Sequence, residues 1–349
     1  MIVILLFLGA SFASWNQIPV CYFRASEKPI IYLIMAGLQT SLLIVVVYFL
    51  LIKNGLGLIG VILSIVLVEL TCFVVIYVLF KKDINSKIDL KIIGRITQKA
   101  LPLMPYSILI WLNNFSDRFI IKYNSFNEEL GLYTLAFQFG LIIQLIGVGI
   151  NSTWGPLIAK IIRKQENNKN LNNIMSQCTY IVLLLIITIC FLGKIIVINF
   201  LNNDYYGAIK DIPVIVWCFG FCFLYGFPSS ILIAKGQTNK LAKIALITFL
   251  INFGGNIILV PILKEYGAAI MTLISYIIMT IIAILATKNI KEIDLSYIPL
   301  IKIVSIAICA FTISWKLSND STAINIIIYL VCASFLYFIS KTSLIYEAN

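Results

Sequence analysis

Residues 101–137 read LPLMPYSILIWLNNFSDRFIIKYNSFNEELGLYTLAF, and this stretch decides the class of fold. It begins as an apolar run that carries its polar side chains near the far end, namely Asn113, Asn114, Asp117 and Arg118. A short polar turn follows, and a second apolar run starts at Gly131. Two charges inside an otherwise membrane-compatible helix are costly and usually functional, so this helix is the first candidate site.

The two charges of this helix have two open interpretations. Asp117 and Arg118 point about 100° apart on a helix, because they are adjacent. Asn113 lies four residues before Asp117, and Asn114 lies four before Arg118, so each charge is expected to have an amide on its own face. Arg118 either offers its guanidinium fork to a sugar carboxylate or lipid diphosphate, or snorkels to the membrane surface. Asp117 either couples an ion or snorkels and ties two helices together.

The composition places the chain among polytopic membrane proteins. Its 349 residues are 61% hydrophobic and 12% charged, whereas soluble domains are about half apolar and about a quarter charged. The 26 Lys and Arg residues exceed the 15 acidic ones, but they lie in short loops, where membrane topology explains them better than nucleic acid. The sequence has no His, and its eight Cys form no CxxC pair. We therefore expect no His-ligated metal, no cofactor and no disulfide framework.

Apolar segments separated by short polar loops make up the chain, which predicts an all-α fold. A spanning helix needs about 20 mainly apolar residues. About eleven segments qualify, and they are residues 1–22, 30–52, 57–80, 100–121, 131–159, 174–199, 211–234, 241–262, 266–287, 297–315 and 323–341.

Loop charges predict the orientation of these segments. One set of alternate loops, which includes the C-terminal tail, holds 19 of the Lys and Arg residues, and the other set holds 6. Positive loops face the cytoplasm. The sequence therefore predicts a multi-pass protein with its C-terminus in the cytoplasm and residue 1 outside.

Residues 19–64 and 228–275 repeat one order of features: a proline, a basic polar loop, a helix with amides, a short outer turn and a glycine. Such repeats are typical of transporters. Within its own lobe, the second copy is preceded by three helices, 100–121, 131–159 and 174–199. The first copy, which falls in residues 1–80, has no helix before it. We therefore expect a two-lobed bundle whose first lobe, 1–95, lacks about three N-terminal helices. Residues 96–292 form a complete second lobe of six helices, and 293–349 add two further helices.

Short motifs along the chain carry a resemblance to a known family. They are LP at 101–102, SDRFI at 116–120, ELGLY at 129–133, AKGQT at 234–238, and Pro261 followed by YGAA at 266–269. In order and spacing they resemble the polysaccharide-export flippases, the O-antigen (Wzx-type) group of the multidrug/oligosaccharidyl-lipid/polysaccharide exporter superfamily.

The resemblance implies a MATE-like bundle in the bacterial cytoplasmic (inner) membrane. It implies a flippase that translocates undecaprenyl-diphosphate-linked oligosaccharide repeat units for O-antigen or capsule synthesis by alternating access, and not an enzyme. The implied partners are membrane lipid, the lipid-linked oligosaccharide, and the glycan polymerase and glycosyltransferases of the same pathway.

Other functions remain open at this stage. A multidrug or cation antiporter of the same fold would need acidic residues lining a lobe, and only Glu69 and Asp117 qualify. A membrane glycan polymerase or acyltransferase would need His, Arg or acidic residues in a large outer loop. An inactive truncated remnant is the last alternative.

Three sets of candidate site residues follow. The cleft candidates, which either bind sugar hydroxyls or join helices, are Arg118, Asn114, Gln138, Gln144, Asn151, Asn252, Asn256 and Gln39. Basic residues in equivalent cytoplasmic loops either capture the diphosphate head group or only set orientation, and they are Arg24, Lys28, Lys235 and Lys240. The ion-coupling candidates are Glu69, near the middle of its helix and alternatively paired with an amide, and Asp117.

Overall fold

The computed structural model describes residues 2–25, 29–80, 90–101, 103–124, 126–164, 171–288, 290 and 297–317. Within these residues the chain is helical and contains no strand, which confirms the all-α prediction. The α-helices are α1 Ile2–Ala25, α2 Pro29–Val47, α3 Gly57–Phe80, α4 Leu90–Ala100, α5 Leu103–Tyr123, α6 Asn127–Lys164, α7 Leu171–Phe200, α8 Asp211–Ala234, α9 Thr238–Thr287 and α10 Ile298–Leu317. A π-helical turn, Tyr48–Lys53, prolongs α2, and a 3-10 helix, Asn203–Lys210, precedes α8.

Seven of the described helices are long and apolar enough to cross a membrane. The number is smaller than the eleven predicted segments for identifiable reasons. The helix α9 joins two predicted segments across a kink at Lys264, and α5 carries the polar group around Asp117. The apolar part of α10 is short, Ile298–Cys309. The last predicted segment, 323–341, lies outside the described residues.

The helix α4 was not predicted, because nearly all of its residues lie between the predicted segments 57–80 and 100–121. Its apolar side chains Leu90, Ile93 and Ile96 are exposed, and lysine and arginine alternate with them in the sequence. This pattern is typical of a short helix that lies in the membrane interface.

The chain folds as two compact units, a first unit of Met1–Lys91 and a second unit of Ile92–Asn349. In the first unit α3 packs against both α1 and α2. The predicted division at residues 95 and 96 lies close to this boundary. The further division of the second part at residues 292 and 293 stays a prediction.

The helix α8 occupies the centre of the second unit, where it packs against α6, α7 and α9. It is apolar on all sides and almost wholly buried, as expected for a helix surrounded by others. Aromatic side chains join it to α6. The rings of Phe137 and Phe219 are 5.0 Å apart, and those of Trp154 and Phe227 are 4.9 Å apart, both pairs meeting edge to face.

The AKGQT motif forms the turn between α8 and α9. Gly236 has a φ of +68°, which a side chain would disfavour. The Gln237 N–H donates to the Leu232 carbonyl at 2.8 Å, and the Gly236 N–H donates to the Ile233 carbonyl at 2.9 Å. These two bonds satisfy carbonyls that the end of α8 leaves free, and the pattern is a Schellman motif.

Both units contain a helical hairpin in which a glycine lets two backbones approach. A Cβ on Gly60 would lie 3.0 Å from the Leu50 carbonyl oxygen, and a Cβ on Gly267 would lie 2.7 Å from the Leu259 carbonyl oxygen. Gly60 lies within the first copy of the predicted repeat, 19–64, and Gly267 lies within the second copy, 228–275. The hairpins thus give the repeat a structural counterpart.

Replacing Gly267 by Ala is expected to destabilise the protein, because the Leu259 carbonyl belongs to the backbone and cannot move aside. Overpacking of this kind costs about 1–3 kcal/mol. Gly254→Ala is the matched control, since a Cβ there meets nothing within 4 Å. The check is the thermal unfolding midpoint of both purified variants in detergent. Equal midpoints would contradict the close packing of the two halves of α9.

Candidate functional site

The polar centre of the first unit is Glu69 of α3. Asn16 of α1 donates from Nδ2 to Glu69 Oε2 at 2.7 Å and to the Glu69 carbonyl at 2.9 Å. Gln39 of α2 donates from Nε2 to Glu69 Oε1 at 2.8 Å. One carboxylate therefore joins all three helices of this unit.

These contacts decide part of what was left open for Glu69 and Gln39. Glu69 is partnered by amides, as one of its two interpretations expected. Gln39 directs its amide nitrogen to this carboxylate in the described conformation, so that nitrogen is engaged within the unit. A role of Glu69 in ion coupling stays a prediction.

The polar centre of the second unit begins at Asp117 of α5, which has no exposed surface. The Tyr133 hydroxyl of α6 donates to Asp117 Oδ2, and the Arg118 backbone N–H donates to Oδ1 at 2.8 Å. The snorkelling interpretation of Asp117 is therefore wrong, because a snorkelling side chain reaches the surface. The expected tie between two helices is present, and Tyr133 supplies it.

The Arg118 side chain lies against aromatic rings. Its guanidinium carbon lies 4.9 Å from the ring centre of Phe115 and 4.2 Å from that of Phe137 on α6. Asn114, the expected partner, instead accepts a hydrogen bond from Tyr276 of α9. The amide expected on the face of Arg118 is therefore engaged by a neighbouring helix.

Asn252 and Asn256 of α9 form a buried chain of amides. Both are 0% exposed. Asn256 donates to Asn252 Oδ1 at 3.1 Å, and Asn252 donates to Thr272 at 3.3 Å and to Ser275 at 3.4 Å. Asn252 joins the two halves of α9, as one of the two interpretations expected, whereas Asn256 bonds to Asn252 within the first half, and its Oδ1 has no hydrogen-bond partner among the described residues. A role of these amides in a cleft stays a prediction.

The remaining cleft candidates lie along α6. Gln138 is exposed, and Gln144 and Asn151 are half-buried. Asn151 packs against Gly226 of α8, where a Cβ would lie 2.2 Å from its Nδ2. Within the described residues the Asn151 Oδ1 atom has no hydrogen-bond partner. All three amides lie along α6.

The basic head-group candidates are only partly described. Lys235 is half-buried and Lys240 is exposed, on either side of the turn between α8 and α9. Arg24 falls at the end of α1, and its side chain lies outside the described part of the structure. Lys28 lies outside it entirely, so the predicted equivalence of the two basic loops stays a prediction.

The sequence reasoning missed a charged cluster at the end of the second unit where α6 and α8 begin. Lys210 pairs with Glu265 at 2.8 Å, and Lys264 pairs with Glu129. The alternation of loops could have revealed this cluster, because it places all four residues on the same side of the membrane. Among the described residues no group of three or more His, Cys, Asp or Glu is arranged to hold a metal ion.

Solved structures with the same arrangement of helices define the class of fold. The chain matches a MATE transporter of Vibrio cholerae, VcmN, with a TM-score of 0.67 at 14% identity, over 82% of this chain and 68% of that one. A MATE protein in complex with MaL6 gives a TM-score of 0.68 at 14% identity, over 83% and 70%. The lipid II flippase MurJ, in an inward closed conformation, gives 0.61 at 17% identity, over 92% and 70%. The fold is therefore that of this class of membrane transporters.

The family follows from the sequence match. A model of a polysaccharide biosynthesis protein matches residues 3–210, which run from α1 to the 3-10 helix before α8. The match covers more than half of the chain, and the chain belongs to this polysaccharide biosynthesis protein family. The resemblance seen in the motifs is thereby confirmed. A search of curated protein sequences finds no match.

Replacing Glu69 by Ala is expected to loosen the first unit, because Asn16 and Gln39 would lose their shared acceptor. Unpaired buried donors cost about 1–3 kcal/mol. Glu69→Gln keeps one acceptor oxygen and is expected to fall between Glu69→Ala and the parent protein. Ser11→Ala is the control, since its exposed hydroxyl bonds only within its own helix. Unfolding midpoints in detergent test this order, and a Glu69→Ala midpoint equal to that of the control would refute it.

Proposed function

We propose that the protein is a flippase that translocates undecaprenyl-diphosphate-linked oligosaccharide repeat units across the cytoplasmic membrane, for O-antigen or capsule synthesis. The observation that carries the proposal is the polysaccharide biosynthesis family match, which extends across both units. The likeness to a lipid II flippase over 92% of the chain supports it. In this proposal the protein transports its substrate and does not alter it chemically.

The chemistry of the substrate explains why such a protein is needed. An oligosaccharide carries many hydroxyl groups, and each would lose its hydrogen bonds in hydrocarbon. A diphosphate adds charge, which raises the cost further. Helices with inward polar side chains offer replacement hydrogen bonds while the lipid tail stays in the bilayer, and alternate opening of the two sides completes the movement.

Arg118 is the residue we assign to the anionic part of the substrate. Its guanidinium group lies on two aromatic rings, and its Nε has no hydrogen-bond partner among the described residues. A guanidinium group binds diphosphate or carboxylate oxygens in pairs. Gln138, Gln144 and Asn151, on the neighbouring helix α6, supply amides for sugar hydroxyls.

The proposal includes an orientation and a setting. The C-terminus lies in the cytoplasm and residue 1 outside, as the loop charges predict. Lys235, Lys240, Arg24 and Lys28 then face the leaflet in which the substrate is made. The partners are membrane lipid and the polymerase and glycosyltransferases that use and supply the repeat unit.

A second candidate function, cation-coupled antiport, has one observation in its favour. Asp117 is fully buried among polar side chains of α5 and α6, and a buried carboxylate in a transporter is a natural place for a coupling ion. We rank antiport below flipping because the family match concerns polysaccharide synthesis.

A flipping assay tests the proposed function directly. The full chain is reconstituted in liposomes with an undecaprenyl-diphosphate oligosaccharide that carries a fluorophore on its sugar. A reductant that cannot cross the bilayer quenches only the outer leaflet in empty liposomes, and we expect it to quench both leaflets when the protein is present. If protein-containing liposomes are quenched only in the outer leaflet, as empty ones are, and yet accumulate a fluorescent organic cation, the result contradicts flipping and supports antiport.

Arg118→Ala is expected to lower the flipping rate by about tenfold, since a hydrogen bond to a charged group contributes about 1.5–3 kcal/mol. Arg118→Lys keeps the charge but loses the fork, so its rate should be intermediate. Lys122→Ala, one turn further along α5 and exposed, is the control. Rates are compared at equal amounts of folded protein. Parental flipping by Arg118→Ala would make Arg118 a structural residue.

A further inference from the structure

The end of the second unit where α8 begins buries two acidic side chains. Asp211 is the first residue of α8 and is 0% exposed. Glu265 follows the kink in α9 and is 2% exposed. Acidic residues are almost never buried to this extent without a partner. The groups around them therefore need a full account.

One lysine serves both carboxylates. Lys210 Nζ lies 2.8 Å from Glu265 Oε1, and the same ammonium group interacts electrostatically with Asp211. The neighbouring ion pair joins Lys264 to Glu129, and its lysine, about half exposed, also interacts electrostatically with Glu265. Glu265 thus has two lysines nearby, whereas Lys210 is the one cation that acts on Asp211 among the described residues.

The other titratable groups nearby do not restore the balance. The ring of Tyr266 lies 5.8 Å below the Lys210 ammonium. Lys194 of α7 shares a shallow notch with Lys210, but its ammonium lies over the ring of Trp315 at 5.7 Å. Asp204, on the 3-10 helix, is exposed to solvent. None of these contacts places a second cation on Asp211.

Three carboxylate oxygens in this group have no hydrogen-bond partner among the described residues. They are both side-chain oxygens of Asp211 and the Oε2 atom of Glu265. An ionised carboxylate held in a low-dielectric interior without compensation costs several kcal/mol. Two adjacent carboxylates also repel each other when both are ionised. The arrangement is therefore incomplete unless it holds one more positive charge.

We propose that Asp211 and Glu265 form a binding site for one exchangeable proton. Lys210 is bound to Glu265, and Asp211 takes up the proton on its free carboxylate oxygens. The proton comes from water and returns to water, so no other group changes. The site joins the start of α8 to the kink of α9, and binding of the proton favours their contact.

The number of donors favours a proton over a metal ion. Calcium takes about six to eight oxygen ligands and magnesium takes about six, whereas the group offers three free oxygens. A proton needs one oxygen. Once Asp211 is protonated, its carboxyl group is neutral and no longer repels Glu265. Carboxyl pairs that share one proton behave in this way.

The linkage between proton binding and folding gives the direction of the test. The folded protein holds a proton that an unfolded Asp side chain releases above about pH 4. Stability therefore falls as the pH rises, and the unfolding equilibrium constant grows by up to about tenfold per pH unit for the one proton. Other buried acids add to the total slope, so the informative quantity is the difference between variants.

The experiment measures equilibrium unfolding of the full chain in detergent from about pH 5 to about pH 9. Asp211→Asn imitates the protonated carboxyl and binds no proton there. Its unfolding equilibrium constant should therefore rise less steeply with pH than that of the parent, by a factor of up to about ten per pH unit. Asp204→Asn is the matched control, since this exposed carboxylate is already bonded to Asn202 at 3.0 Å. The control should keep the parental slope.

A second variant, Glu265→Gln, tests the same site if Asp211→Asn does not fold. Glu265→Gln frees Lys210 to pair with Asp211, so it should also remove the slope that the shared proton causes. A parental slope in either folded variant overturns the proposal. A further measurement compares the unfolding equilibrium in sodium chloride with that in choline chloride at about pH 8. Stabilisation by sodium that Asp211→Asn abolishes would overturn the assignment of the occupant as a proton.

Discussion

A polar side chain inside a bundle of apolar helices must find its partner on another helix, and most of this structure depends on that constraint. The backbone groups of a membrane helix are already bonded within the helix, and hydrocarbon offers no donors or acceptors. Glu69 meets the constraint through amides of α1 and α2, and Asp117 meets it through Tyr133. The buried acidic residues thus determine which helices are neighbours and at which level along their axes the helices contact each other.

The two units satisfy this constraint in different ways. The first gathers three helices on one carboxylate, so that a single residue holds the group together. The second uses a series of pairs, such as Asn114 with Tyr276 and Asn252 with Thr272. Hydroxyl groups reduce the need for partners, because Thr248 and Thr272 bond to carbonyls of their own helix. The second unit therefore distributes over several pairs what the first unit concentrates on one carboxylate.

The sequence predicts what depends on local composition and misses what depends on tertiary partners. Helical segments follow from hydropathy, since a spanning helix needs no knowledge of its neighbours. Spacing along α5 predicted that Arg118 and Asn114 share a helix face, but it could not predict that Arg118 lies over Phe137 of α6 or that Asn114 bonds to Tyr276 of α9. Asp211 and Glu265 are far apart in the chain, so their shared lysine appears only when α8 and α9 are packed.

Asp117 and Arg118 are neighbours in the chain, but their charged groups are held in different ways. Both oxygens of Asp117 are occupied, one by a tyrosine and one by a backbone N–H, so this residue is complete without a ligand. Arg118 is held by aromatic faces, which position a guanidinium group without using its N–H donors. A group that is fixed in place and still has donors to offer is preorganised for an anion. The helix that decides the fold therefore carries one charge whose hydrogen bonds are satisfied within the protein and one charge whose Nε has no partner among the described residues.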